Sequence, residues 1–286
     1  MRKGRGRRWI YCPSGNLKRR AKGMKERSWT QEGLTEALGT FVLVLFTVGV
    51  VAQTALAPRL SPFGYDWNTI ALGCGLAVAL GIYVAGGVSR AHLNPAVTLA
   101  LAVTGRFPWR GVLPYILGQM AGGFLGALAA YLVYREGLVA AGMPNVWCTG
   151  PGSVFGRAFW GAGPGGEALG TYSLASAFLS EVLGTALLLW GILALTEGRL
   201  APGANLAPLL IGLVVAAVGL SLGGPSGFAL NPARDLAPRL LGALAGTEGL
   251  FQGPYWLGPP LLGSLLGGVL GAWTYGRLVL SVREKA

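Results

Sequence analysis

The chain has 286 residues, 52% of them hydrophobic and only 12% charged, and its mean hydropathy is +0.54. A soluble domain of this length carries about 25% charged residues, so the composition excludes a water-soluble globule. The net charge of +12 is local: residues 1–27 hold 11 of the 23 Lys and Arg and one of the 11 acids, which leaves the rest near neutrality. That distribution fits a solvated cytoplasmic segment under the positive-inside bias better than a nucleic-acid partner.

Residues 1–27 form a basic extension, expected to be disordered, with no apolar stretch long enough for a secretory signal. Met24 opens a more compact start, so residues 1–23 read as an addition without a structural role. Apolar runs follow at Ala37–Ala57, Ile70–Val88, Val112–Val133, Leu174–Leu195, Leu206–Leu222 and Leu257–Tyr275. Each is close to the ~20 residues that cross ~30 Å of hydrocarbon as a helix. Two shorter apolar stretches, Pro95–Thr104 and Pro232–Leu244, each follow an Asn-Pro-Ala triplet and are long enough to reach about half-way. The fold class is therefore an all-α membrane protein, with six transmembrane helices plus two half-helices.

The chain repeats itself. "TEALGT" at 35–40 returns as "SEVLGT" at 180–185, Gly75-Leu76 as Gly212-Leu213, and Asn94-Pro95-Ala96 as Asn231-Pro232-Ala233. Pro114-Tyr115 returns as Pro254-Tyr255, and Gly118, Gly122 and Gly126 as Gly263, Gly267 and Gly271. The division is a first half over 28–135, a Gly- and Pro-rich loop over 136–171 expected outside the cell, and a second half over 172–286 with a short C-terminal tail. Three spans per half make the second copy inverted, an arrangement that places a conduction or binding site near the midplane.

The triplets are the candidates for that site. Asn is a favoured N-cap and Pro suits the first helical turn. Two half-helices meeting there point two partial positive charges at the membrane centre. The non-helical backbone leading in leaves carbonyls that lipid would not tolerate but a wet cavity would. Arg234, three residues after Asn231, is an intramembrane charge and so a candidate functional group. Asp235 reads as a partner for the half-helix N-terminus. Glu36 and Glu181 sit at matched positions within spans. The three cysteines, Cys12, Cys74 and Cys148, and the lone His92 have neither metal-ligand spacing nor a catalytic relay, so no metal, cofactor or enzyme chemistry is expected.

The paired Asn-Pro-Ala motifs, the Glu-x-x-Gly-Thr repeats and the inverted halves resemble the aquaporin (major intrinsic protein) family from about residue 30 to residue 280, and "GFALNPARD" resembles its glycerol-facilitator branch. The resemblance implies a constriction formed by Cys74, Gly219, Phe228 and Arg234. It implies loop carbonyls of Ala91, His92, Leu93, Ala229 and Leu230 lining a pore, and Glu36 and Glu181 accepting hydrogen bonds that hold the loops. It further implies a homotetramer; the composition places the chain in lipid, in the cell membrane, and the basic tail puts both termini on the cytoplasmic side. Glycerol and water are the expected solutes, with other polyols or urea as further candidates. Glycine at 219, where water-selective members carry histidine, favours a polyol. Two positions depart from the pattern: Cys74 replaces a common tryptophan, and Arg90 replaces a glycine that the internal copy keeps as Gly227. A water-selective pore, a proton-coupled transporter using Glu36 or Glu181, and a closed junctional protein are the competing readings.

Overall fold

The computed structural model describes residues 28–56, 65–150, 153, 172–197 and 201–280. The basic extension, Cys12 and most of the loop expected between the halves lie outside them. The helices are α1 (Trp29–Leu56), α2 (Trp67–Ala85), α3 (Pro95–Val103), α4 (Val112–Ala140), α5 (Leu174–Thr196), α6 (Ala207–Leu222), α7 (Pro232–Leu244) and α8 (Ser264–Tyr275). Six are spans and two, α3 and α7, are the half-helices.

Several helices run past their apolar windows. α1 begins at Trp29 rather than Ala37 because Ser28 and Gln31 form a capping box: Gln31 N donates to Ser28 Oγ and Ser28 N to Gln31 Oε1, each at 3.2 Å. α4 continues through Ala140, into what the sequence reads as loop, since helical hydrogen bonding does not stop where hydropathy falls. A second capping box, between Asp66 and Thr69, starts α2. α6, ~24 Å for 16 residues, is shorter than α1, α2, α4 and α5, its length set by Pro208 near its start and Gly223-Gly224-Pro225 at its end.

The sixth span is not one α-helix. A π-helical turn, Gly258–Gly263, precedes α8 and another, Gly276–Leu280, follows it. Pro259 and Pro260 lack the N–H groups an α ladder needs, and Leu262 N instead reaches back five residues to Leu257 O at 3.1 Å.

Packing repeats with the sequence. α1 packs on α2 and α4 as α5 packs on α6 and α8. Each half-helix crosses over, α3 against α8 and α7 against α4. Glycines set the spacing: a Cβ on Gly126 would lie 2.5 Å from Phe41 O, and one on Gly271 would lie 2.5 Å from Ala186 O. α2 and α6 meet at Gly75 and Gly212, each the other's nearest obstacle. Large apolar side chains such as Leu113, Leu132 and Val133 point outward and are exposed. The interior is left to two loops and the cavity beside them.

Candidate functional site

Each half-helix begins at its asparagine. Asn94 Oδ1 accepts from Ala96 N at 2.8 Å, and Asn231 Oδ1 accepts from Ala233 N at 3.0 Å and Arg234 N at 3.3 Å. The other side of each amide reaches across the molecule. Asn94 Nδ2 donates to Leu230 O, and Asn231 Nδ2 to Leu93 O, both at 2.8 Å. An amide nitrogen has two hydrogens, so this reciprocal clamp leaves each asparagine a second donor. Both asparagines line a cavity. Pro95, Ala96, Pro232 and Ala233 are buried in the first turns behind them.

The loops before the triplets are held in an unusual backbone. Ala91, Leu93, Phe228 and Leu230 have φ of 48°, 52°, 43° and 54°, left-handed values at alternate residues and at matched positions in the repeat. L-residues there are disfavoured by roughly 1–2 kcal/mol each. Buried carboxylates hold the arrangement. Glu36 accepts from His92 N at 3.0 Å and Leu93 N at 2.7 Å, and also from Ser89 Oγ at 2.6 Å and Gln119 Nε2 at 2.8 Å. Glu181 accepts from Ala229 N at 2.7 Å and Leu230 N at 2.8 Å. Neither carboxylate lines the cavity.

The cavity lining has two kinds of residue: the loop residues Ala91, His92, Leu93, Ala229 and Leu230 with both asparagines, and the aliphatic Leu43, Val78, Ile82, Val97, Leu101, Leu188, Ile192, Ile211 and Val215. Toward one end stand Thr47, Cys74, Phe228 and Arg234, with Cys74 facing Arg234 and Thr47. Arg234 is 8% exposed, and its Nη1 has no hydrogen-bond partner among the described residues. Arg90 also lines the cavity.

Gly219 differs from expectation. It is not among the lining residues; instead the Phe228 ring covers it, so that a Cβ at 219 would lie 2.9 Å from Phe228 Cε2. The glycine makes room for a ring rather than for a solute. Trp67 closes the other side of that ring, edge-to-face at 5.4 Å, and donates from Nε1 to Gly219 O at 2.9 Å.

Asp235 and Arg239 form a buried pair that the sequence analysis does not anticipate. Arg239 Nη2 lies 2.7 Å and Nε 3.0 Å from Asp235 Oδ1, and Nη2 also donates to Thr149 O at 2.9 Å. Asp235 Oδ2 accepts from Thr149 N and Oγ1, both at 2.8 Å. Asp235 is thus satisfied by Arg239 and Thr149, while Arg234 Nη1 stands 3.9 Å away. Arg239 takes the short contacts with Asp235, and Arg234, which lines the cavity, makes the longer ion pair. The i,i+4 spacing of Asp235 and Arg239 on a short helix was the available signal.

Among the described residues no group of His, Cys, Asp or Glu is placed to hold a metal. What the lining brings together is two loop segments, two asparagine amides, a guanidinium and a set of aliphatic side chains.

The sequence profile of the major intrinsic protein family matches residues 23–275. Glycerol uptake facilitator protein 3 of Lactiplantibacillus plantarum is 40% identical over 252 residues, covering 86% of this chain and 95% of that one. The Escherichia coli glycerol uptake facilitator protein is 38% identical over 261 residues, covering 86% and 87%. Among solved structures, the aquaglyceroporin from Plasmodium falciparum superposes with a TM-score of 0.77 at 29% identity, over 91% of this chain and all of that one. Matched over nearly all of its described length and related at these levels, the chain belongs to the major intrinsic protein family, on its aquaglyceroporin branch.

Proposed function

We propose that this chain is a passive channel through which glycerol and related small neutral solutes, with water, diffuse across the cell membrane. The observation that carries the reading is that Phe228 and Arg234 line one cavity together with a set of aliphatic side chains. A polyol has carbons along one edge and hydroxyls along the other. Its hydroxyls meet Arg234, the loop carbonyls and the asparagine amides in turn, while its carbons slide along the leucines and valines. The names of the relatives agree with this chemistry.

Cys74, Phe228 and Arg234 form the selecting end, with Gly219 acting from behind the Phe228 ring. Asn94 and Asn231 are the central donors, and Glu36 and Glu181 support the loops. The conducting halves are read as 28–135 and 172–286, joined by 136–171. No enzyme activity is assigned. The basic residues of 1–27 support cytoplasmic termini, and family membership supports a lipid-embedded homotetramer with one pore per subunit. Proton coupling through Glu36 or Glu181 is disfavoured, because both carboxylates are engaged by loop N–H groups and lie off the cavity.

The test is stopped-flow light scattering on proteoliposomes, comparing glycerol with water. Expected are glycerol and water rates well above those of protein-free vesicles, with glycerol selection lost in Arg234→Ala or Phe228→Ala. Water flux with glycerol excluded would overturn the solute assignment in favour of a water-selective pore. Saturable, pH-driven accumulation would identify a transporter, and flux of neither solute would identify a closed structural protein.

A further inference from the structure

Two arginines line the cavity, Arg234 beside Cys74 and Arg90 beside Phe107. Arg90 stands where the internal repeat has Gly227, yet its backbone does not adopt the left-handed φ of +86° found at that glycine. Arg90 N instead accepts its place from Tyr115, donating to the Tyr115 hydroxyl at 3.1 Å, and that hydroxyl donates to Glu32 at 2.6 Å. The side chain is fixed as well. Nη1 donates to Arg106 O at 2.9 Å, just past the C-terminus of α3, and the guanidinium lies 5.3 Å from the centre of the Phe107 ring. A guanidinium has five N–H donors, and the bond that holds it uses Nη1.

Next to it, His92 offers the complement. His92 is 6% exposed, and its Nε2 is itself buried, with no hydrogen-bond partner among the described residues. Its ring is wedged against Phe107 at 4.7 Å and Tyr115 at 4.9 Å. The neighbour of Nδ1 is Thr98 Oγ1 at 3.1 Å, whose single hydrogen is directed to Asn94 O at 3.0 Å and which accepts from Gln119 Nε2 at 3.0 Å. With that hydrogen spent, Nδ1 is the donor of its pair, and Nε2 presents a lone pair. Both Arg90 and His92 line the cavity.

We propose that Arg90 and His92 form a second selecting station for neutral polyols, beside Phe107, with Arg90 donating to one hydroxyl and His92 Nε2 accepting from the next. The station rests on the reading of the chain as a polyol channel. It narrows the path there by a side chain that the internal repeat lacks, and so sets the size of polyol that passes. A vicinal diol fits it because adjacent hydroxyls supply one acceptor and one donor within a single short span.

The experiment measures erythritol and glycerol permeability of proteoliposomes carrying the full-length wild type, Arg90→Gly and Arg90→Lys, with helical content and thermal unfolding in detergent as checks on the fold. Erythritol is glycerol lengthened by one carbon, and a fitted pocket discriminates such a difference by about tenfold or more. Expected is a rise of about tenfold in the erythritol-to-glycerol ratio for Arg90→Gly. Arg90→Lys, which keeps the charge but not the planar fork, is expected to fall between. If wild type passes glycerol and a folded Arg90→Gly keeps the wild-type ratio, the station is wrong and the channel stands. Equal ratios in wild type and Arg90→Lys would reduce Arg90 to a point charge and also overturn the diol station. If wild type passes water but no polyol, the polyol reading falls and takes the station with it. Should Arg90→Gly fail to fold, the lysine variant alone decides between these outcomes.

Discussion

Four non-glycine residues in left-handed backbone, and the two carboxylates that hold them, set the chemistry of this interior. The glutamates contact the loops and do not line the cavity, and we propose that they act on conduction only through the loops. Glu181→Ala would leave Ala229 N and Leu230 N without their acceptor, and an unsatisfied buried donor costs about 1–3 kcal/mol. The expected result is a variant with a clearly lower melting temperature in detergent and reduced solute flux. Glu181→Gln, which keeps one acceptor oxygen, should retain more of both. Equal stability of all three proteins would show that the loop conformation does not depend on this carboxylate.

Two other side chains make separable predictions at the same scale. Gly219→Ala pushes a Cβ against Phe228, which Trp67 prevents from retreating. Glycerol permeability should fall severalfold while Gly219→Ala remains folded. Cys74 lies on the cavity lining, whereas Cys148 is buried in the segment after α4, where burial pushes its thiol up to about 12 and keeps it protonated. A water-soluble mercurial should therefore block flux through the wild type and Cys148→Ser, but not through Cys74→Ser. Block of Cys74→Ser would move the reactive thiol elsewhere.

Among elements, one close approach falls on the repeat's own symmetry. Gly75 and Gly212 each face the other's backbone, so a methyl group at either position has no flexible side chain to displace. Gly75→Ala is expected to lose about 1–3 kcal/mol by overpacking, read as a lower melting temperature. Gly49, in the same bundle with nothing within 4 Å of an added Cβ, is the control: Gly49→Ala should be neutral, or more stable by up to ~1 kcal/mol from helix propensity. This level was well legible in the sequence, because a duplicated motif reports on both copies. The repeats gave the number of spans, the two half-helices and the matched glutamates without coordinates. The double proline at 259–260 was in plain view as a cause of the π-turn, but it was passed over inside an apolar run. What the sequence could not convey was where rings go. That Gly219 serves Phe228 rather than the cavity depends on a side-chain direction, and that Trp67 buttresses the ring depends on two helices meeting 152 residues apart in the chain.

For the whole molecule, the question is how a wet path through a membrane stays closed to cations. The described cavity lining holds two arginines and no carboxylate. Two half-helix N-termini meet between them, each equivalent to roughly half a positive charge, and these cannot be removed without dismantling α3 and α7. Asp235, the acid nearest the selecting end, has its charge met by Arg239. On the proposed function the barrier to cations is redundant, whereas solute selection rests on Phe228 and Arg234 together. Arg234→Ala separates the two properties. Its proteoliposomes should discriminate less between glycerol and larger polyols, yet remain as tight to potassium as protein-free vesicles when a voltage-sensitive dye follows a valinomycin-free gradient. A potassium leak in this single variant would mean that Arg234 alone carries the barrier, and that the facing half-helix termini contribute too little at the distance at which an ion passes them.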